Sequence, residues 1–333
     1  MTTQFIFFGC WNEIEYIVED YIPPRNIVLN EIKNVETNIK TMIIAGDNWY
    51  PNVKNGTKYY LDSVLHSGYD LLQNCNMKTY IAIGNHDVDS NEKSPNCMIN
   101  KQIKYIQRLN NPNNLKPYKS TSPPTIKLSL SLEKRQTSLN NISPNLYNFY
   151  LPTIEHKKRQ NLPRRDIINN INFIFIDLEN NAENIYREIY IKEIINLINT
   201  TANDPINRPI IIVGHNPLLT CKLKNNKQKV EKIYMDSHEL YLLLLTSIAN
   251  SNAVYICADT HNFQIGNYTF KDNKNQIKSF RTVICGTGGA HLDDLCNQND
   301  YLCKKIIFSE KLDTTTSSKM ITFDGYGIKS YGY

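Results

Sequence analysis

Long apolar runs are missing from this sequence of 333 residues. The first apolar stretch, residues 5–8, ends at Gly9 after only four residues, and no basic segment precedes it. These absences argue against a secretory signal peptide and a membrane span, so we expect a cytoplasmic protein. Internal repeats and heptads are also absent, which argues against a solenoid or a coiled coil.

CxxC motifs are missing too, because no two of the eight cysteines have this spacing. Cys257 and Cys285 lie inside apolar runs that are typical of buried strands. We therefore expect a reducing compartment in which most thiols act as small core residues.

Charge is not concentrated in any tail, and the formal net charge is only +5. This balance suits a substrate that carries phosphate, but it does not require a nucleic-acid partner, which is neither favoured nor excluded. A basic stretch at residues 156–165 is better explained as a solvated loop than as an anion-steering patch. The sequence leaves the oligomeric state undetermined.

Seven short runs rich in Ile, Val, Phe and Tyr predict buried strands, at residues 4–8, 40–45, 78–83, 171–177, 208–213, 252–258 and 280–285. Helical spacing occurs between some of them, at residues 59–73, 182–198 and 237–249. This alternation predicts an α/β fold. We expect a single domain over residues 1–333, with a polar insertion or lid at about 88–141 that is rich in Asn, Ser, Pro, Lys and Thr.

Five of these runs end in the same way, with Gly or Ala followed by a possible metal ligand. The residues at these strand ends are Cys10, Asp47, Asn85 with His86, His215, and Asp259 with His261. In an α/β sheet, ligands collect beyond the carboxyl ends of strands, and a small residue lets the backbone turn close to them. The repetition therefore predicts one convergent site. Carboxylate, imidazole and amide groups suit Mn, Zn and Fe, and Asp47 is the natural carboxylate to bridge two ions.

Four blocks make a family resemblance specific: "GDNWY" (46–50), "GNHD" (84–87), "GHNP" (214–217) and "ADTH" (258–261). In order and content they resemble the blocks of the calcineurin-like metallophosphoesterases. Tyr50, three residues after Asp47, and the Trp of "GCWN" are similar to the purple acid phosphatase branch, and "CGTGGAH" (285–291) resembles the Gly-rich turn that follows. The resemblance implies a four-layer αββα sandwich with a two-metal centre that acts on a phosphate ester.

The resemblance also implies a role for each residue. Asp47 would bridge the ions. Asn85, His215 and Asp259 would complete the site of the second ion, and Tyr50, His261 and Cys10 would hold the first. His86 would bind no metal; it would face the substrate phosphate and protonate the leaving oxygen.

Two positions depart from the family pattern, because Cys10 stands where the family has Asp and Asp259 stands where it has His. Asp259 remains a competent ligand and makes the second site richer in oxygen. Cys10 has two interpretations: a thiolate ligand suited to zinc, or a neutral thiol that leaves the first site weakened.

Three functions remain open at this point. The first is a phosphomonoesterase similar to the acid phosphatases, with two ions of Fe, Zn or Mn. The second is a phosphodiesterase or nuclease on the same scaffold, since selectivity lies in the loops. The third is a catalytically impaired metal-binding or scaffold protein, for which Cys10 and Asp259 are the evidence.

Overall fold

The structure is a computed structural model. It describes residues 4–14, 22–34, 39–54, 57–75, 77–88, 98–110, 147–149, 154–155, 158–159, 163–178, 184–224, 227–232, 238–293, 321–323 and 329–332.

The first sheet has five strands in the order β18-β1-β2-β5-β6. They are β1 (Gln4–Phe8), β2 (Thr41–Ile44), β5 (Lys78–Ile81), β6 (Tyr147–Phe149) and β18 (Lys329–Gly332). Strands β1, β2, β5 and β6 run parallel, and β18 pairs antiparallel with β1. The carboxyl ends of the parallel strands therefore meet at one edge of the sheet.

The second sheet has seven strands in the order β17-β15-β16-β14-β11-β10-β9. They are β9 (Arg164–Ile168), β10 (Ile171–Phe175), β11 (Ile210–Val213), β14 (Val254–Cys257), β15 (Phe263–Lys271), β16 (Ile277–Cys285) and β17 (Ile321–Phe323). Strands β10, β11, β14 and β16 run parallel, and the outer strands pair antiparallel. Three hairpins complete the described strands: β3 (Asn52–Lys54) with β4 (Thr57–Tyr59), β7 (Ile154–Glu155) with β8 (Lys158–Arg159), and β12 (Leu219–Lys224) with β13 (Lys227–Lys232).

Six helices occur in the described part of the chain: α1 (Pro24–Asn34), α2 (Asp62–Gln73), α3 (Asn85–Val88), α4 (Met98–Asn110), α5 (Asn184–Ala202) and α6 (His238–Asn250). None of them is long and apolar enough to cross a membrane.

The central strands β10, β11 and β14 of the second sheet are buried along their whole length, and their alternate residues enter two different clusters. Phe5 of the first sheet and Phe173 of the second share one cluster with residues of α1 and α2, and their rings meet edge to face at 5.4 Å. Ile174 and Ile212 belong to the other cluster, together with residues of α5 and α6 such as Leu244. The period of two along a strand explains why neighbouring residues separate in this way.

The expected α/β class is confirmed, since each of the seven predicted runs overlaps a strand and each of the three predicted helical segments overlaps a helix. The expected lid at 88–141 lies largely outside the described residues. Within it, α4 places Met98, Ile99 and Ile106 in buried positions, a helix that the polar composition of the stretch did not indicate. The single-domain expectation stays a prediction.

Candidate metal centre

Three possible ligands lie just beyond strands β1, β2 and β14, separated from the strand ends by one or two small residues, and share one unusual backbone conformation. Cys10, Asp47 and Asp259 have φ angles of 53°, 55° and 56°, in the left-handed region that side chains rarely adopt. Such strain persists only where the surroundings impose it, and it concentrates at functional sites. The residues just before them, Gly9, Gly46 and Ala258, are small and let the backbone turn sharply at each of the three strand ends.

Asp47 lies at the centre of the site, with its two carboxylate oxygens facing different groups. Oδ1 accepts a hydrogen bond from the backbone N–H of His86 at 2.9 Å and lies 3.3 Å from Nε2 of His215. Oδ2 accepts the Tyr50 hydroxyl at 2.8 Å. Burial by itself raises the pKa of Asp47, but the charge and hydrogen bond of His215 outweigh burial and hold that pKa well below its usual range.

On the Oδ1 side, several donor atoms converge on His215. Its Nε2 lies 2.9 Å from Oδ1 of Asn85 and 3.7 Å from Oδ1 of Asp259. Its Nδ1 donates to the Ala45 carbonyl at 2.7 Å, so Nδ1 carries a hydrogen and Nε2 points into the site. Burial lowers the pKa of His215, but the carboxylates of Asp47 and Asp259 more than reverse this and raise it to about 10. Without a metal, the imidazole is therefore protonated at neutral pH.

On the Oδ2 side lie Tyr50, His261 and Cys10. The Tyr50 hydroxyl is 3.0 Å from Nε2 of His261, whose Nδ1 donates to the His291 carbonyl at 2.5 Å. Sγ of Cys10 lies 4.0 Å from Oδ2 of Asp47, and its side chain is fully buried. Burial and the Asp47 charge raise the pKa of the Cys10 thiol and of the Tyr50 hydroxyl well above their ordinary values.

Glycines keep the backbone close to these ligands. A Cβ atom on Gly84 would lie 2.3 Å from both N and Oδ1 of Asp47. A Cβ atom on Gly46, whose φ is +86°, would lie 2.7 Å from Nδ1 of His215. No residue with a side chain fits at either position without displacing a possible ligand.

His86 follows Asn85 in the first turn of helix α3 and is partly exposed. Its ring packs against that of Tyr50, with 4.5 Å between centroids. The backbone carbonyl of His86 accepts the Tyr60 hydroxyl at 3.2 Å, and its N–H is held by Asp47 as described above. The backbone of His86 is thus held from both sides, and its imidazole packs against Tyr50 at the partly exposed rim of the site.

A buried polar network supports the loops that carry the ligands, and we did not foresee it from the sequence. Asp87 is fully buried and accepts four N–H groups: the backbone and side chain of Asn48 at 3.0 and 2.8 Å, the backbone of Gly84 at 2.8 Å, and the side chain of Gln102 at 2.8 Å. Burial and the Asp47 charge raise the pKa of Asp87 to about 6, so the group is ionised at neutral pH, when all four donors face it. Asp87 lies inside the "GNHD" block, which was the signal available in the sequence.

Asn48 extends this network to strand β1. Its side-chain amide donates to the Ala82 carbonyl at 2.9 Å, and its Oδ1 accepts the Trp11 indole N–H at 3.1 Å. The Asn12 side chain donates to the Asn48 carbonyl at 2.9 Å and accepts a hydrogen bond from the buried Arg25. Three neighbouring strand ends are therefore locked together beneath the site.

The donor set fits metal ions. Ligand atoms of Cys10, Asp47 and His215, which come from three separate strand ends, all lie within 4.8 Å of one another. His215 and His261 each donate from Nδ1 to a backbone carbonyl, an arrangement by which proteins orient Nε2 toward a metal. This Cys/Asp/His cluster could bind a metal.

The seven residues predicted from the strand ends lie in one region with Tyr50, which the family resemblance implied: Cys10, Asp47, Asn85, His86, His215, Asp259 and His261. No pattern in the sequence indicated that the His291 carbonyl and the Asp293 carboxylate would orient His261. The Asp293 carboxylate accepts the His261 backbone N–H at 2.9 Å. Backbone carbonyls leave no trace in a sequence pattern.

Comparison with known proteins gives little more. No protein-family description and no curated protein matches this sequence. Among 13 chains of solved structures that resemble the fold is one titled "Structure of PhoD", with a TM-score of 0.45 and 9% sequence identity. The likeness covers 86% of this chain and 57% of that chain, so this chain spans little more than half the length of that neighbour. A likeness at this level does not assign a family.

Proposed function

We propose that this chain is a metal-dependent phosphoester hydrolase of the calcineurin-like type, an αββα sandwich most similar to the purple acid phosphatase branch. One observation carries the proposal: the two oxygens of Asp47 face two separate sets of donor atoms. His215 Nε2 lies 3.3 Å from Oδ1, and the Tyr50 hydroxyl lies 2.8 Å from Oδ2. A carboxylate placed in this way is suited to bridge two ions.

The second ion would be held by Asp47, Asn85, His215 and Asp259, and the first by Asp47, Tyr50, His261 and Cys10. Bound ions of Fe, Zn or Mn would neutralise charge on the phosphoryl group and activate water. The protein orients the imidazoles of His215 and His261 through hydrogen bonds from Nδ1 to backbone carbonyls, which leaves each Nε2 facing the site.

His86 is the residue to which we assign protonation of the leaving oxygen. It lies at the rim next to Asn85, is partly exposed, and its backbone N–H is anchored on Asp47. An imidazole at this point can reach a substrate oxygen without itself binding metal. Substitution of His86 by Ala should lower kcat by about 10²–10⁴-fold while metal content stays unchanged.

The test is turnover of p-nitrophenyl phosphate by purified protein loaded with Mn, Zn or Fe. We expect metal-dependent hydrolysis that Asn85→Ala abolishes. Asn203→Ala is the matched control, because Asn203 is exposed at the end of α5 and should not affect the rate. Metal-dependent turnover that survives Asn85→Ala would contradict the assigned ligands.

Two parallel measurements separate the alternatives. Bis(p-nitrophenyl) phosphate should be hydrolysed more slowly than the monoester, and the reverse order would indicate a diesterase or nuclease. Elemental analysis should find close to two ions per chain, whereas one ion or none, together with no turnover, would indicate a binding or scaffold protein.

A further inference from the structure

Cys10 occupies a ligand position of the candidate metal centre by its geometry. Its backbone shares the left-handed conformation of Asp47 and Asp259, and its Sγ lies 4.0 Å from Oδ2 of Asp47. We infer that Cys10 binds the first metal as a thiolate and makes the Oδ2 side of Asp47 selective for thiophilic divalent ions, Zn²⁺ above all, over Mn²⁺ and ferric iron. This inference rests on the proposed function only in assuming that the site binds metal.

The surroundings of two other buried thiols show what a structural cysteine looks like in this fold. Sγ of Cys257 donates to the Val283 carbonyl at 3.7 Å, and Sγ of Cys75 donates to the Leu29 carbonyl at 3.5 Å. Both sulfurs thus contact backbone groups within the core. Sγ of Cys10 instead lies among a carboxylate, a phenol and an imidazole, with its sulfur within 4.8 Å of ligand atoms of Asp47 and His215.

The chemistry of sulfur gives the selectivity its direction. Thiolate is a soft ligand that favours Zn²⁺, at about 2.3 Å, whereas Mn²⁺ and ferric iron favour carboxylate and phenolate oxygen. A carboxylate at position 10 would make this side mostly oxygen. With sulfur there, the set of Cys10, Asp47, Tyr50 and His261 combines one soft ligand with nitrogen and oxygen. On binding, the S–H bond of Cys10 breaks, its proton goes to solvent, and the sulfur–metal bond forms.

The opposite side of Asp47 has no sulfur among the donors described above. Asn85 and Asp259 supply oxygen and His215 supplies nitrogen, a set that accepts Mn²⁺ readily. The two sides should therefore differ in preference, and a single chain should take up one thiophilic ion and one harder ion.

Co²⁺ tests this directly, because it substitutes for Zn²⁺ and gives a near-ultraviolet charge-transfer absorption when it is bound to thiolate. Full-length protein is stripped with EDTA and titrated with Co²⁺ while the absorption is recorded. Wild type and Cys257→Ser should show the thiolate absorption, whereas Cys10→Ser and Cys10→Asp should lack it. Cys257 is the matched control because its thiol is equally buried and lies two residues before Asp259.

Competition between Zn²⁺ and Mn²⁺, read by elemental analysis, supplies the second measurement. Cys10→Asp should lower the Zn-over-Mn preference of one site by about tenfold or more, because it replaces a soft ligand with a hard one, and loss of even a group that only orients a ligand typically costs about 10–100-fold in affinity. Circular dichroism checks that each variant folds. If Cys10→Asp does not fold, Cys10→Ser replaces it in the competition measurement, because Ser is close to Cys in size.

The outcomes separate this inference from the proposed function. Bound Co²⁺ without the thiolate absorption, or absorption that persists in Cys10→Ser, overturns the inference; if p-nitrophenyl phosphate is still turned over, the proposed function stands. Thiolate absorption without turnover of any phosphoester would support this inference and contradict the proposed function. Failure of wild type to bind any Co²⁺ also overturns the inference.

Discussion

Asn48 should be the residue whose truncation most weakens the platform beneath the site. Its side chain joins three strand ends, because it accepts from Trp11, donates to the Ala82 carbonyl and donates to Asp87. The residue is fully buried, so water cannot replace these partners. Asn48→Ala removes all three contacts without introducing a new group.

The cost follows from the partners left behind. A buried indole N–H without an acceptor costs about 1–3 kcal/mol, and the loss of one hydrogen bond to the ionised Asp87 costs about 1.5–3 kcal/mol. We therefore expect Asn48→Ala to lower the free energy of unfolding by about 2.5–6 kcal/mol. Since single domains are stable by about 5–15 kcal/mol, the variant should fold but be marginal.

Asn48→Asp sharpens this test because it keeps the size and the acceptor for Trp11 but removes the donor. The new carboxylate would face that of Asp87, and two adjacent carboxylates raise the pKa of one of them. A raised pKa makes the folded state bind a proton more readily, so the stability of the variant should be recovered at pH 5 and lost as the pH rises to 8.

Urea unfolding in EDTA, followed by circular dichroism at pH 5 and pH 8, measures both effects. Asn203→Ala should stay within about 1 kcal/mol of wild type, since that side chain is exposed and its hydrogen bond to the Asn199 carbonyl, at 3.0 Å, is open to water. If Asn48→Ala is within 1 kcal/mol of wild type, or if Asn48→Asp shows no extra pH dependence, Asn48 does not tie the strand ends together.

Three further outcomes follow from the site. Gly84→Ala should destabilise the fold by about 1–3 kcal/mol and weaken metal binding in calorimetry, because its Cβ would displace Asp47; unchanged metal affinity would show that the turn can yield. In EDTA, the contribution of His215 to stability should be present below its ordinary pKa of 6.5 and should be lost as the pH rises through about 10, whereas His215→Asn should lack this fall in urea unfolding at stepwise pH. Asp259→Gly should be about 1–2 kcal/mol more stable than Asp259→Ala because φ is 56°, and equal midpoints in urea would refute that strain.

Much of the fold follows from local sequence signals. The run at residues 4–8 coincides with β1, and residues 171–177 contain β10 from Ile171 to Phe175, because strands buried on both faces are continuously apolar. Helix α4 escaped prediction because its buried positions, Met98, Ile99 and Ile106, are diluted among Asn, Lys and Gln. Their spacing is helical, but the polar composition around them masks it.

The convergence of the site residues was also predictable from the sequence. The backbone conformations and hydrogen bonds that hold those residues in place were not. Parallel strands bring their carboxyl ends to one edge, so Asp47 and Asn85 were expected to meet. The left-handed backbone of Cys10 and the backbone carbonyl that orients His261 depend on tertiary packing. Asp87 was visible inside a quoted block, but only its burial and its four donors reveal what it does.

The candidate site lies at the joint between the two sheets, and this ties its geometry to core packing. Asp47 comes from the first sheet and His215 from the second, and the His215 Nδ1–H donates across the joint to the Ala45 carbonyl. The backbone N–H of Gly9 crosses in the same way to the Cys285 carbonyl at 2.9 Å. The separation of the sheets thus sets the distance between the carboxylate and the imidazole. His215 faces Asp47 through Nε2 and joins the two sheets through Nδ1, so a shift of the imidazole at one of these contacts would disturb the other.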